Sequence, residues 1–219
     1  TGPGARAELA LADGSTVRVV EGSMVRLGTI ELMASLRRKV QLELLQGTVE
    51  TNAAPAAEGS VFEVRTRSAV AGVRGTHFRV TAQEDGTHRL ETLEGRVALI
   101  AKKGDLDVIE GYGSRALPDS TPESPRRLLV APTMVDPRDG TFPAAPKLTW
   151  GVVSGARRYQ VELARTADFA AGVQTYEASA AELEVSGLRE GKWFWRVVAV
   201  DGDGFIGFPS KIFAFDVRP

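Results

Sequence analysis

Apolar and polar residues alternate one by one through most of this 219-residue sequence, and a glycine or an Asp-Gly pair breaks each run before it reaches helical length. A two-residue period puts every second side chain on one face of a strand, whereas an amphipathic helix needs a period near 3.6. Residues 5–20 set the pattern: Leu9, Leu11, Val17 and Val19 share one face, Glu8 and Arg18 the other, and Asp13-Gly14 is expected as a two-residue hairpin turn. The style continues through residues 25–27, 40–49, 61–64, 77–81, 89–93, 97–100 and 106–109. Only residues 30–39 have room for a helical turn or two, and so short a piece is expected as strand or loop. The chain reads as all-β.

An internal echo sharpens that reading. Leu42-Glu43-Leu44-Leu45-Gln46-Gly47-Thr48-Val49 and Leu90-Glu91-Thr92-Leu93-Glu94-Gly95-Arg96-Val97 repeat Leu, Glu, Leu, Gly and Val at identical spacing. Each is a strand, a glycine corner and a second strand, as expected of stacked, solenoid-like sheets. The composition changes after Ser114, where Pro118, Pro122 and Pro125 stand among small polar residues. Such a stretch cannot pair inside a sheet, so residues 116–127 are expected as an extended linker between a domain over 1–115 and another over 128–219. Short strands with regular turn signals over 128–219 predict a β-sandwich.

Composition removes several classes of function. Lys and Arg number 27 against 28 Asp and Glu, so no cationic field calls for nucleic acid or an anionic membrane. Cysteine is absent, which excludes disulfides, thiolate metal sites and a Cys nucleophile. No apolar run approaches the roughly 20 residues of a membrane-spanning helix. The opening Thr-Gly-Pro-Gly, without an initiator Met, is expected of a fragment whose targeting signals lie elsewhere.

Ser68-Ala69-Val70-Ala71-Gly72-Val73-Arg74-Gly75-Thr76-His77-Phe78-Arg79-Val80 resembles the signature of FecR-type domains. The run Ala7 to Ser15 and Leu93-Glu94-Gly95-Arg96-Val97 are similar to that family's flanking motifs, so the resemblance covers about the first half of the chain. His77 stands where the family usually has an acid, and Tyr112 where a Gln commonly follows the late glycine. Over 128–219 the sequence resembles a bacterial fibronectin type III-like domain. The residues that carry this likeness are Leu148-Thr149-Trp150, the Arg158 to Leu163 strand and Trp193-Phe194-Trp195-Arg196-Val197. The resemblances imply a non-enzymatic, periplasmic interaction or scaffold module of an envelope protein, engaged in signalling or cell-wall attachment. The partner is then an envelope protein or peptidoglycan, no cofactor is called for, and the oligomeric state stays open.

Candidate residues follow from chemistry. His77 and His88 are the obvious general bases, but neither lies in a catalytic motif, and both are expected as solvent-facing strand residues. A hydrolase would need one of them beside a carboxylate in a cleft. The corner Arg74-Gly75-Thr76-His77 is expected to lock the turn of its own domain, with Phe78 and Val80 in the core. Phe205 and Phe208, at a loop tip with Ile206, are expected as an exposed aromatic contact, and Tyr112 joins them as a candidate. In the alternative reading as a carbohydrate or peptidoglycan binder, Trp193, Trp195 or Tyr112 would stack on sugar rings.

Overall fold

The computed structural model describes residues 1–32, 37–73, 75–170 and 172–218. They form two compact units, 1–127 and 128–219, and no helix occurs among the described residues.

The first unit holds strands β1 (Ala7–Ala10), β2 (Thr16–Val19), β3 (Met24–Leu32), β4 (Arg38–Asn52), β5 (Val61–Arg65) and β6 (Ala69–Val73). These are followed by β7 (His77–Ala82), β8 (His88–Glu94), β9 (Arg96–Ala101), β10 (Gly104–Ile109), β11 (Tyr112–Ala116) and β12 (Arg126–Arg127). All twelve belong to one sheet, and a sheet so wide must curl or fold on itself. It folds at β4. The first half of β4 lies between β3 and a parallel β5, and the second half lies between β2 and β7. One layer therefore runs β3-β4-β5-β6-β9-β10, the other β1-β2-β4-β7-β8-β11-β12. A single core lies between them, built on Leu42, Leu44, Phe62, Val64, Phe78, Val80, Leu90 and Leu99.

The two echoed glycines mark the places where the chain passes between layers. Val40, Leu42 and Leu44 bury even-numbered positions, whereas beyond Gly47 the buried positions are Val49 and Thr51. β8 is buried on both faces, and it is Leu90 that lines this core; beyond Gly95 the core positions are Val97 and Leu99. A one-residue change of parity turns a strand's buried face over, and here it lets one chain line both sides of the same core. Gly47 and Gly95 sit at φ +87° and +79°, a region that residues with a β-carbon enter only under strain.

Two local expectations change, and the strand-or-loop reading of residues 30–39 is met where the chain is described. The β1–β2 loop spans Ala12 to Gly14, one residue longer than a two-residue turn, with Leu11 N donating to Ser15 O at 2.9 Å. Asp13 causes this: its carboxylate accepts from both Ser15 N (2.9 Å) and Ser15 Oγ (2.8 Å). Of residues 30–39, β3 takes those to Leu32 and β4 begins at Arg38, while 33–36 lie outside the described residues. The stretch expected as an extended linker, residues 116–127, is tied to the first unit. β12 pairs with β11, Glu123 N donates to Arg115 O (2.9 Å), Ser114 Oγ donates to Glu123 O (2.7 Å), and Arg115 pairs with the Glu123 carboxylate (2.7 Å). Residues 117–125, with three prolines, stay out of the ladder but leave such anchors available.

The second unit has strands β13 (Met134–Asp136), β14 (Thr141–Phe142), β15 (Lys147–Trp150), β16 (Arg158–Ala164), β17 (Gln174–Ala178), β18 (Glu182–Glu184), β19 (Gly191–Val200), β20 (Ile206–Pro209) and β21 (Phe213–Val217). A three-stranded sheet, β13-β15-β18, and a six-stranded sheet, β14-β21-β19-β16-β17 with β20 on the end of β19, enclose one core. Trp150 and Trp195 meet at its centre, ring centroids 6.4 Å apart, with Tyr159 set edge-on to Trp150 at 5.4 Å.

Candidate functional site

The signature begins just before β6, runs through it and turns the corner into β7. Arg74 lies outside the described residues, and the corner is read from Gly75 onward. Gly75 has φ +82°, and a β-carbon on it would stand 2.9 Å from Pro55 Cα. Thr76 O accepts from Ala53 N at 2.9 Å, so the corner is stitched to the stretch that leaves β4. On its other side, a β-carbon on Gly95 would come within 2.9 Å of Thr76 Cγ2. The two motifs, 20 residues apart in sequence, thus form one packed joint beside the passage from β8 to β9. Phe78 and Val80 follow it into the core, both fully buried.

His77 and Arg79 point away from that core and share a carboxylate. His77 Nε2 lies 2.9 Å from Glu50 Oε1, and Arg79 Nε donates to Glu50 Oε2 at 3.3 Å. Glu50 is the middle of a row. Glu8, Arg18, Glu50, Arg79 and Glu91 stand directly opposite one another on β1, β2, β4, β7 and β8, so charge alternates strand by strand. Arg18 also pairs with Glu8 at 3.1 Å. Opposite charges facing across a sheet stabilise the pairing register, which gives these side chains a structural part. His77 does lie beside a carboxylate, as a hydrolase would require, but that carboxylate also holds Arg79.

His88 departs from its expected exposure. It shares parity with Leu90 and Thr92 and is fully buried, with Nδ1 2.9 Å from Thr66 Oγ1. Burial opposes the charged imidazolium and pushes its pKa down to about 3, so it is neutral at any physiological pH. The hydroxyls of Ser68 and Ser114 donate to the carbonyls of Gly86 and Glu123. The alternation through Leu90 is the signal that locates His88, because position 88 falls on the same face.

Of the aromatic candidates, Phe205 departs from its expected exposure. Phe205 is 1% exposed: Asp201 Oδ1 accepts from Asp203 N and Phe205 N, both at 2.9 Å, and this draws the expected splayed tip into a tight hairpin. Phe208 is half-buried on β20, its N donating to Leu129 O at 3.0 Å. Tyr112 is half-buried against the first core, with the Arg127 guanidinium 5.6 Å from its ring centroid. Trp193 and Trp195 are buried, their indole N–H groups donating to Arg189 O (2.9 Å) and Pro137 O (3.1 Å). Satisfied in this way they are core residues, with no ring face presented for a sugar.

The sequence reading missed Arg38. Its buried guanidinium pairs with Asp13 and donates to Ser15 Oγ (3.1 Å) and Ala54 O (2.7 Å), while its carbon lies 5.3 Å from the centroid of the Phe62 ring. Desolvation raises the Asp13 pKa, but hydrogen bonds from Ser15 and the charge of Arg38 outweigh it and hold the carboxyl below its ordinary value. The Asp13-Gly14-Ser15 turn is the visible half of this cluster; its cation stands 23 residues further on.

The family model described as FecR protein matches residues 1–98, a little under half of the chain. An uncharacterized protein of Treponema pallidum (strain Nichols) is 33% identical over 72 residues, which are 32% of this chain and 11% of that protein. Two crystal structures of a candidate anti-sigma factor from Parabacteroides distasonis ATCC 8503 superpose with a TM-score of 0.50, at 18% and 19% identity. They cover 65% of this chain and 76% of their own. At that identity the likeness is one of fold. Residues 1–98 thus match the FecR family model, on an all-β frame.

Proposed function

We propose that this chain is a non-enzymatic protein-binding module of the bacterial envelope, with its FecR domain engaged in signalling and its second unit a fibronectin type III-like spacer. The FecR match over residues 1–98 carries the reading, and it takes its direction from a fold shared with a candidate anti-sigma factor. The engagement of His77 with Glu50 and the burial of His88 support a role without catalysis, and the buried tryptophans weigh against sugar stacking. A periplasmic location goes with this reading. The test is crosslinking capture by the tagged chain in envelope extract of its native host, with purified sacculi assayed in parallel. Saturable recovery of a specific envelope protein is expected; saturable sacculus binding with no protein partner would overturn the reading.

A further inference from the structure

The nine-residue strand β3 is an edge. Among the described residues it pairs with β4 alone. Register places Val25, Leu27 and Ile30 opposite Leu44, Leu42 and Val40, on the face that lines the core, with Leu32 next in line opposite Arg38. Arg26 and Glu31 take the other face, opposite Glu43 and Lys39. A one-residue bulge at Gly28-Thr29 keeps Leu27 and Ile30 on the same side despite their odd spacing. The apolar row overhangs the core: Leu27, Ile30 and Leu32 are 51%, 45% and 51% exposed. Beside it lies a groove of ≈ 460 Å³ whose lining includes Ala7, Leu9, Val19, Met24, Val25 and Leu27. Soluble proteins generally blunt long apolar edges with charge or cover them, because unpaired N–H and C=O groups recruit another strand.

The order of residues along β3 specifies which strand. Counted outward from the Gly28-Thr29 bulge, the positions read Leu27, Arg26, Val25 in one direction and Ile30, Glu31, Leu32 in the other. Laid antiparallel on itself about that bulge, the strand sets Leu27 opposite Ile30, Val25 opposite Leu32 and Arg26 opposite Glu31, each pair on one face. Arg65, Glu43 and Arg26 already face one another across β5, β4 and β3. A second copy would continue that row with its own Glu31 and Lys39, extending the alternation of charge across the interface. Two-fold pairing makes every contact twice and closes the assembly.

We propose that β3 pairs antiparallel with β3 of a second copy of this chain about the Gly28-Thr29 bulge, forming a dimer through a continuous sheet. Sedimentation velocity of the whole chain across a concentration series tests it, with Arg26→Glu, Glu31→Arg and their equimolar mixture. Arg26 is well exposed and its ion pair with Glu43 lies at the surface, so the fold should persist, as a circular dichroism melt would verify. The wild type is expected to dimerise reversibly. Each variant alone sets two like-charge pairs face to face and should self-associate about tenfold more weakly or worse. In the mixture, the glutamate introduced at position 26 of one chain meets the arginine introduced at position 31 of the other. The native Glu31 of the first chain then meets the native Arg26 of the second, so a heterodimer should return. If a charge variant melts early, Ile30→Lys serves in its place and should abolish the dimer. A wild type that stays monomeric through its soluble range overturns the proposal and leaves the edge to a strand of another protein. A dimer that neither variant weakens, or two weakened variants that do not recover on mixing, overturns it equally.

Discussion

A β-carbon added to Gly95 would stand 2.9 Å from the Cγ2 methyl of Thr76, so the late-glycine motif and the signature corner fit against each other with no room to spare. The contact sits where the chain leaves one layer for the other, between Glu94, the last paired residue of β8, and Arg96, the first of β9. These residues of the two motifs thus form a structural joint where the chain passes between the layers.

Burial of His88 has a consequence for pH. In the unfolded chain its imidazole protonates near 6.5, and in the folded chain only near 3. Between those values the unfolded state binds the extra proton, so stability is intact above pH 6.5 and declines as pH falls, by about 1.4 kcal/mol per unit. From neutrality to pH 5 the loss is about 2 kcal/mol. Urea unfolding at several pH values should show this slope in the wild type and a flatter one in His88→Gln.

Arg38 and Asp13 carry a second prediction. Asp13→Asn leaves a buried guanidinium without its counter-charge and should cost about 1–3 kcal/mol at pH 7, read from the denaturation midpoint. Because the Asp13 carboxyl is held below its ordinary 3.8, its contribution is present above that value and is lost as pH falls through the folded pKa. The Asn variant should therefore differ most from wild type at neutral pH and converge with it in strong acid.

These two residues also show where reading the sequence stops. The corners at Gly47 and Gly95 are legible because a parity change is written in the chain: Leu44 to Val49 and Leu90 to Val97 each span an odd step. The core positions Phe78 and Val80 follow from the same alternation. Exposure does not follow, because alternation assigns a face to a side chain without showing what covers that face. His88 is misplaced on these grounds, since polarity alone does not put a side chain in solvent, and Phe205 because three apolar neighbours do not by themselves make a splayed tip. Arg38 is invisible because its partners at 13, 15, 54 and 62 come together only when the sheet folds.

The Pro-rich segment that folds back on the first unit yields a protease test. With Glu123 bonded to Arg115 and to Ser114 Oγ, backbone around Arg126 and Arg127 should resist trypsin. Ser114→Ala with Glu123→Ala should speed cleavage there several-fold while leaving the melting of the first core nearly unchanged. Equal cleavage of wild type and variant would mean the anchors do not hold in solution.

The joint itself is tested most directly by a double-mutant cycle between Gly95 and Thr76, read by thermal unfolding. Gly95→Ala should cost about 2–4 kcal/mol, combining a strained positive φ with the clash on the Thr76 methyl. Thr76→Ser removes that methyl, and in the Gly95→Ala background it should restore about 1 kcal/mol, a clear coupling between the two sites. Melting of Gly95→Ala at the wild-type temperature, or strict additivity of the two substitutions, would contradict the account.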